Sequence, residues 1–248
     1  ANKWCSGVAV VDINNDGWKD IYICATTHLE DARRENILYV NQGVNKNGTP
    51  VFKDMAKQYG LADSGHSTNA AFFDYDNDGD LDMYLVTNKM EDAKTTNIYK
   101  KLNHVSKEKT DRLFRNEWDD ELGHPIFVNI SEEAGIVHEG YGLGVSIADI
   151  NKDGWKDIYV TNDFLTTDLM YINNGDGTFK EMSKQFFKHT SHAAMGNDIV
   201  DLDNNGHLDL ITVDMMPEDN KRRKMLQINK TYDTYQLALK LGYQVQYA

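Results

Sequence analysis

The stretch Asp149-Ile-Asn-Lys-Asp-Gly-Trp-Lys-Asp157 decides the fold, because the chain carries four versions of it. The others run from Asp12 to Asp20 (DINNDGWKD), Asp74 to Asp82 (DYDNDGDLD) and Asp201 to Asp209 (DLDNNGHLD). Each places an oxygen-bearing side chain at positions 1, 3, 5 and 9, and glycine at position 6. These are Asp12, Asn14, Asp16 and Asp20; Asp74, Asp76, Asp78 and Asp82; Asp149, Asn151, Asp153 and Asp157; and Asp201, Asp203, Asn205 and Asp209. Ca²⁺ takes roughly six to eight hard oxygen ligands at about 2.3–2.6 Å, and glycine permits the sharp turn that folds a short loop around it. Asp, Asn and Gly also populate ordinary turns, so the competing reading is four acidic turns that bind nothing. Four copies in matching contexts favour the metal. An EF-hand would need a bidentate Glu at position 12 and flanking helices. Position 12 is Ile23, Leu85, Val160 or Thr212, each in an apolar run, which excludes that motif. Mg²⁺ demands a tighter octahedron and usually keeps several waters.

The loops begin 52 to 75 residues apart, a spacing typical of repeat architectures. A short stretch precedes each loop: Gly7-Val-Ala-Val-Val11, Asn69-Ala-Ala-Phe-Phe73, Gly144-Val-Ser-Ile-Ala148 and Gly196-Asn-Asp-Ile-Val200. Another follows: Ile21-Tyr-Ile-Cys24, Met83-Tyr-Leu-Val86, Ile158-Tyr-Val-Thr161 and Leu210-Ile-Thr-Val213. These β-branched and aromatic runs read as strands, so each acidic loop is the turn of a β-hairpin. Third segments are Asn36-Ile-Leu-Tyr-Val-Asn41, Asp168-Leu-Met-Tyr-Ile-Asn173 and, in the second unit, either Asn97-Ile-Tyr-Lys100 or Arg112-Leu-Phe-Arg-Asn116. Fourth segments are Val51-Phe-Lys-Asp-Met55, Ile126-Phe-Val-Asn-Ile130 and Thr178-Phe-Lys-Glu-Met182. Four short antiparallel strands per unit make a β-propeller blade, so the expected class is an all-β propeller with Ca²⁺-binding hairpin loops. Repeats are expected over about 4–62, 63–137, 138–188 and 189–248. The fourth shows only two clear strands, which implies part of a larger ring.

A polar insertion is expected at 88–124. After Pro217, Met225, Ile228, Tyr232, Tyr235 and Leu239 recur every three to four residues, predicting an amphipathic helix over about 222–241. Gly242 ends it, and Tyr243-Gln-Val-Gln-Tyr247 alternates like one more strand. Cys5 and Cys24 flank the first loop. Pairing Val11 with Ile21 sets Cys5 opposite about residue 27, so a disulfide between them needs a shifted register.

The composition is that of a globular chain of 248 residues, 40% hydrophobic and 26% charged. Thirteen carboxylates lie at the loop positions, and four Ca²⁺ would reduce the formal charge of −13 to −5. The acidity is thus explained by metal, and no basic stripe remains for nucleic acid. The basic run Lys221-Arg-Arg-Lys224 reads as a solvated helix start. No stretch approaches the ~18 apolar residues of a membrane span. His66, His189 and His192 precede the second and fourth loops without reliable metal-ligand spacing, and no nucleophile–base order stands out.

The Gly-containing apolar strand, D-x-[ND]-x-[DN]-G-x-x-D, the I-Y-[IV]-type strand and the Tyr-x-Asn with its Gly-rich turn together resemble FG-GAP/VCBS repeat proteins. Those are the calcium-binding propeller blades also found in integrin α subunits. Segments such as Tyr171-Ile-Asn-Asn-Gly-Asp-Gly-Thr-Phe179 and Ile130-Ser-Glu-Glu-Ala-Gly-Ile136 look closest to the cartilage-acidic-protein-like bacterial branch. The resemblance implies a ring of about seven blades and up to four Ca²⁺. It also implies a carbonyl ligand at position 7 of each loop: Trp18, Asp80, Trp155 and His207. Asn205 removes one charge from the fourth site, which is expected to be the weakest. The expected role is an extracytoplasmic scaffold (secreted, periplasmic or on an outer-membrane surface) that recognises protein or glycan partners, not an enzyme. The rival expectation is a propeller enzyme acting on polysaccharide at its axis.

Overall fold

The computed structural model describes residues 3–88, 100, 104–106, 109–163, 166–215, 219, 221 and 232–247. Among the described residues the chain forms three four-stranded antiparallel sheets and two two-stranded ones. The first contains β1 (Trp4–Val11), β2 (Asp20–Thr26), β3 (Ile37–Val44) and β4 (Pro50–Asp54). The second contains β5 (Ser67–Phe73), β6 (Asp82–Thr87), β7 (Arg112–Asp119) and β8 (His124–Asn129). The third contains β9 (Gly142–Ala148), β10 (Asp157–Asn162), β11 (Leu169–Asn173) and β12 (Phe179–Glu181). In each, the strands lie side by side in chain order, the meander of a propeller blade. β14 (Ala194–Val200) and β15 (Asp209–Asp214) form the fourth hairpin.

The sheets stack because no single one can cover both its faces. Tyr22, Cys24, Leu38 and Val40 of the first sheet close on Ala70, Met83, Leu85, Phe114 and Phe127 of the second. The opposite face of the second sheet, with Tyr84, Val86 and Leu113, closes on Ile158, Val160, Leu169, Tyr171 and Phe179 of the third. The alternation that sends Met83 and Leu85 one way and Tyr84 and Val86 the other is the two-residue period of a strand. Because both faces are covered, β6 and β10 are buried at every residue. Each such large apolar side chain contributes about 1.5–3 kcal/mol. First strands approach closely: an ideal Cβ on Gly7 would lie 2.4 Å from the Thr68 carbonyl oxygen, so any larger residue would push β1 off β5.

β7 settles the second unit's third strand on Arg112-Leu-Phe-Arg-Asn116, inside the stretch 88–124 read as a polar insertion. The rival Asn97-Ile-Tyr-Lys100 falls outside the described residues except for Lys100. A four-residue helix, α1 (Ser183–Phe186), follows β12, and α2 (Tyr232–Lys240) occupies the described part of the expected 222–241 helix. The expected terminal strand shortens to β16 (Gln246–Tyr247), paired in parallel with β13 (Thr190–Ser191). No helix among the described residues is long and apolar enough to cross a membrane.

The first hairpin corrects the expected register. Val11 faces Asp20, and a bulge between Cys5 and Val8 brings Cys5 opposite Ala25. Facing residues share a side of the sheet, so Cys24, one residue away, points to the other. Both thiols are free, Cys5 exposed and Cys24 buried. Burial, then the Asp63 carboxylate, pushes the Cys24 thiol up to about 12. An aromatic disulfide reagent is expected to titrate one thiol per folded chain promptly and the second only on denaturation. Prompt reaction of both would contradict this packing.

Candidate metal centres

Each acidic loop is locally organised by its own carboxylates. Asp12 accepts the Asp16 amide at 3.0 Å and the Gly17 amide at 2.9 Å, and Asp16 accepts the Trp18 amide at 2.8 Å. The same bonds recur as Asp78 and Gly79 to Asp74, Asp153 and Gly154 to Asp149, and Asn205 and Gly206 to Asp201. Position 4 is left-handed in all four loops, with φ of +56 to +62° at Asn15, Asn77, Lys152 and Asn204, and the position-6 glycines lie at +82 to +97°. Asn tolerates that conformation; Lys152 adopts it at a cost of about 1–2 kcal/mol. Its ammonium reaches the fourth loop, donating to the Gly206 carbonyl at 2.5 Å.

The second and fourth loops gather three carboxylates each within 4.8 Å: Asp74, Asp76 and Asp78, and Asp201, Asp203 and Asp209. In the first and third, the position-3 amide donates to position 5, Asn14 to Asp16 at 2.9 Å and Asn151 to Asp153 at 2.7 Å. The second loop is the most strongly acidic. One oxygen each of Asp76 and Asp80 is buried without a hydrogen-bond partner. Burial, then repulsion from Asp78, Asp76 and Asp74, pushes the Asp80 carboxyl up to about 6. Burial takes Asp82 up to about 7. Orphaned buried oxygens and carboxyls pushed up by burial and mutual repulsion mark a place where a cation would favour the charged form. The donors present, carboxylate and carbonyl oxygens in a turn, suit Ca²⁺. Sequence reading took only a carbonyl from Asp80; its side chain also lies close enough to Asp78, Asp76 and Asp74 to be raised by their charge.

Position 9 has a second task that sequence reading missed. Asp20, Asp82 and Asp157 are buried, each joining the loop to the third strand. One oxygen accepts the position-2 amide (Ile13 at 3.0 Å, Tyr75 at 3.2 Å, Ile150 at 2.8 Å). The other accepts the amide of Asn41, Asn116 or Asn173, at 2.8 to 2.9 Å. A carboxylate has about four lone-pair sites, so these bonds leave room for a cation as well. The Asn side chains then donate to the carbonyls of Lys19, Leu81 and Lys156. The recurrent Asn of the third strands was the available signal.

A matching clasp closes the opposite end of each hairpin. Asn36, Asp111 and Asp168, just before the third strands, accept the amides of Ala25, Thr87 and Asn162 at 2.7 to 2.9 Å. Tyr84 and Tyr159 donate hydroxyls to Asp111 and Asp168 at 2.8 Å, whereas Asn36 donates to Tyr22. Burial pushes Asp111 and Asp168 up to about 6. The folded state therefore holds protons on them that the unfolded chain releases near pH 4, and stability falls as pH rises from about 4 through 6. Asp111→Asn, which copies Asn36, is expected to fold and to flatten the decline in melting temperature between pH 5 and 7.5, measured in chelator. An unchanged slope would refute this origin.

His66 accepts the Thr27 amide at 3.3 Å, and His189 lines a cleft beside β15. Neither belongs to the two carboxylate clusters of the loops. Stacked four-stranded sheets with acidic turns define a β-propeller-like repeat scaffold. The FG-GAP-like repeat family matches residues 12–85 and 149–212, more than half of the chain, and the chain belongs to it. A search of curated proteins returns no match.

Proposed function

We propose that this chain is a Ca²⁺-stabilised recognition or assembly scaffold working outside the cytoplasm, with protein or glycan partners held on blade surfaces. Each loop would bind one ion through the side chains at positions 1, 3, 5 and 9 and the position-7 carbonyl. The observation that carries the reading is the second loop, where three carboxylates converge and two buried carboxylate oxygens lack donors. The other loops share its backbone. The fourth site, with Asn205 at position 5 and the Lys152 ammonium against its Gly206 carbonyl, would be the weakest. Millimolar extracellular calcium would fill such sites, whereas cytosolic calcium would leave weak ones empty. The repeats, at about 4–62, 63–137, 138–188 and 189–248, would each hold their ion separately.

The test is a count of bound calcium by native mass spectrometry. Wild type is expected to hold three or four ions, and Asp153→Ala one fewer. A protein that binds none in millimolar Ca²⁺ ends the reading, and loss of every ion from Asp153→Ala ends the independence of the sites.

A further inference from the structure

The chain has three Asn-Gly pairs, Asn47-Gly48, Asn174-Gly175 and Asn205-Gly206, and all three asparagines are exposed. The third occupies positions 5 and 6 of the fourth loop, where the other loops carry Asp16, Asp78 and Asp153 ahead of their glycines. In an Asn-Gly pair the glycine nitrogen can attack the asparagine's own side-chain carbon, because no Cβ crowds the five-membered ring that closes. That attack is helped by a base for the N–H proton and by a donor for the oxyanion that forms.

The fourth loop supplies both. The Gly206 amide donates to Oδ2 of Asp201 at 2.8 Å, so a carboxylate already holds the proton to be removed. The His207 amide donates to Oδ1 of Asn205 at 2.8 Å, so the oxygen that takes the negative charge already faces a donor. This second bond closes an Asx turn, which folds the side-chain carbon of Asn205 back over the Gly206 nitrogen. The peptide that donates it is polarised from its other end, where the Lys152 ammonium donates to the Gly206 carbonyl at 2.5 Å. Hydrogen bonds linked in this way strengthen one another. The other two pairs are held differently. Gly48 donates to the Asn45 main-chain carbonyl and Gly175 to the Asn173 side-chain oxygen, both at 2.9 Å, and neither acceptor is a carboxylate. The Thr49 amide, two residues beyond Asn47, donates to Asn45 instead.

We propose that Asn205 is a self-modification site, at which the fourth loop catalyses its own deamidation. Asp201 takes the proton from the Gly206 nitrogen as that nitrogen bonds to Cγ of Asn205, and the His207 amide holds the oxyanion. The Cγ–Nδ2 bond then breaks, and the proton on Asp201 leaves with Nδ2 as ammonia. Water opens the succinimide, at Cγ to give aspartate or at the main-chain carbonyl to give isoaspartate. The sum consumes one water, releases one ammonia and adds one negative charge at position 5. Aspartate restores the side chain of the other three loops, whereas isoaspartate lengthens the backbone of the turn by a methylene. Asp201 is the catalytic group and Lys152 a positioning residue.

The experiment incubates the folded chain in chelator at neutral pH and follows each Asn-Gly pair by peptide mass spectrometry, with the two product isomers separated by chromatography. Working without metal decides the matter separately from calcium binding. A positioned acid or base contributes roughly 10²–10⁴-fold, so Asn205 is expected to convert at least about tenfold faster than Asn47 and Asn174. In denaturant the three rates should converge. Asp201→Asn, which keeps an acceptor but no base, should bring Asn205 down to the rate of the other two. Lys152→Asn, the residue at position 4 of the other loops, should slow it severalfold, and Lys152→Arg should restore it. Equal rates at the three pairs in the folded chain would overturn the proposal. So would a rate at Asn205 that rises on denaturation, or one undiminished in Asp201→Asn.

Discussion

A chelator is expected to lower the melting temperature by roughly 10 °C or more, and added Ca²⁺ to restore it. The arithmetic rests on binding to the folded state alone, which contributes about 2.7 kcal/mol per site at a hundredfold excess over Kd. Two to four sites then supply about 5–11 kcal/mol, and one kcal/mol moves the midpoint of a chain this size by about 2–4 °C. The physical source is visible in the second loop. Asp80 at about 6 and Asp82 at about 7 are carboxyls that lose their protons near neutrality only against burial and mutual repulsion. A divalent ion would remove that cost and tie the two arms of the hairpin together. The effect should therefore be larger at pH 8 than at pH 5.5, where protons partly substitute for the ion. A melting curve unmoved by chelator at pH 8 would remove the structural role of calcium.

Asp157→Ala is expected to cost about 2–5 kcal/mol in chelator, a fall of roughly 5–15 °C. Truncation strips the acceptor from two amides, Ile150 at 2.8 Å and Asn173 at 2.9 Å, and each buried orphan donor costs about 1–3 kcal/mol. Asp209→Ala provides the contrast. Asp209 occupies the same loop position but among the described residues accepts only the Leu202 amide and is partly exposed, so its loss should cost about 1 kcal/mol or less. Measuring both without metal separates the clasp from any ion. Equal losses at the two positions would show that the third-strand bond is idle.

The acidic turns, the strands beside them and the four-stranded repeat were legible from the sequence, and for a shared reason. Ligand spacing, the position-6 glycines and the two-residue apolar period are local, so the residues that set them lie within one short window. Even the left-handed position 4 is signalled by Asn15, Asn77 and Asn204, with Lys152 the exception. The choice between the two third-strand candidates of the second unit was not legible, because each is a short pair of apolar or aromatic residues set between polar ones.

What lay beyond the sequence depends on partners far along the chain. Nothing near Asp82 names the Asn116 amide, 34 residues away, as its acceptor's mate, because every residue but proline offers an amide. The burial of Cys24 follows from the second sheet, whose Ala70, Met83 and Leu85 close on its face of β2, and no residue near Cys24 in the chain announces that contact. The sequence by itself determined where the chain turns and which strands flank each turn, since those are matters of adjacent residues. Only the tertiary structure decided which carboxylates are also clasps and which thiol is sealed, because burial and hydrogen-bond partnership belong to packed neighbours rather than to the order of the chain.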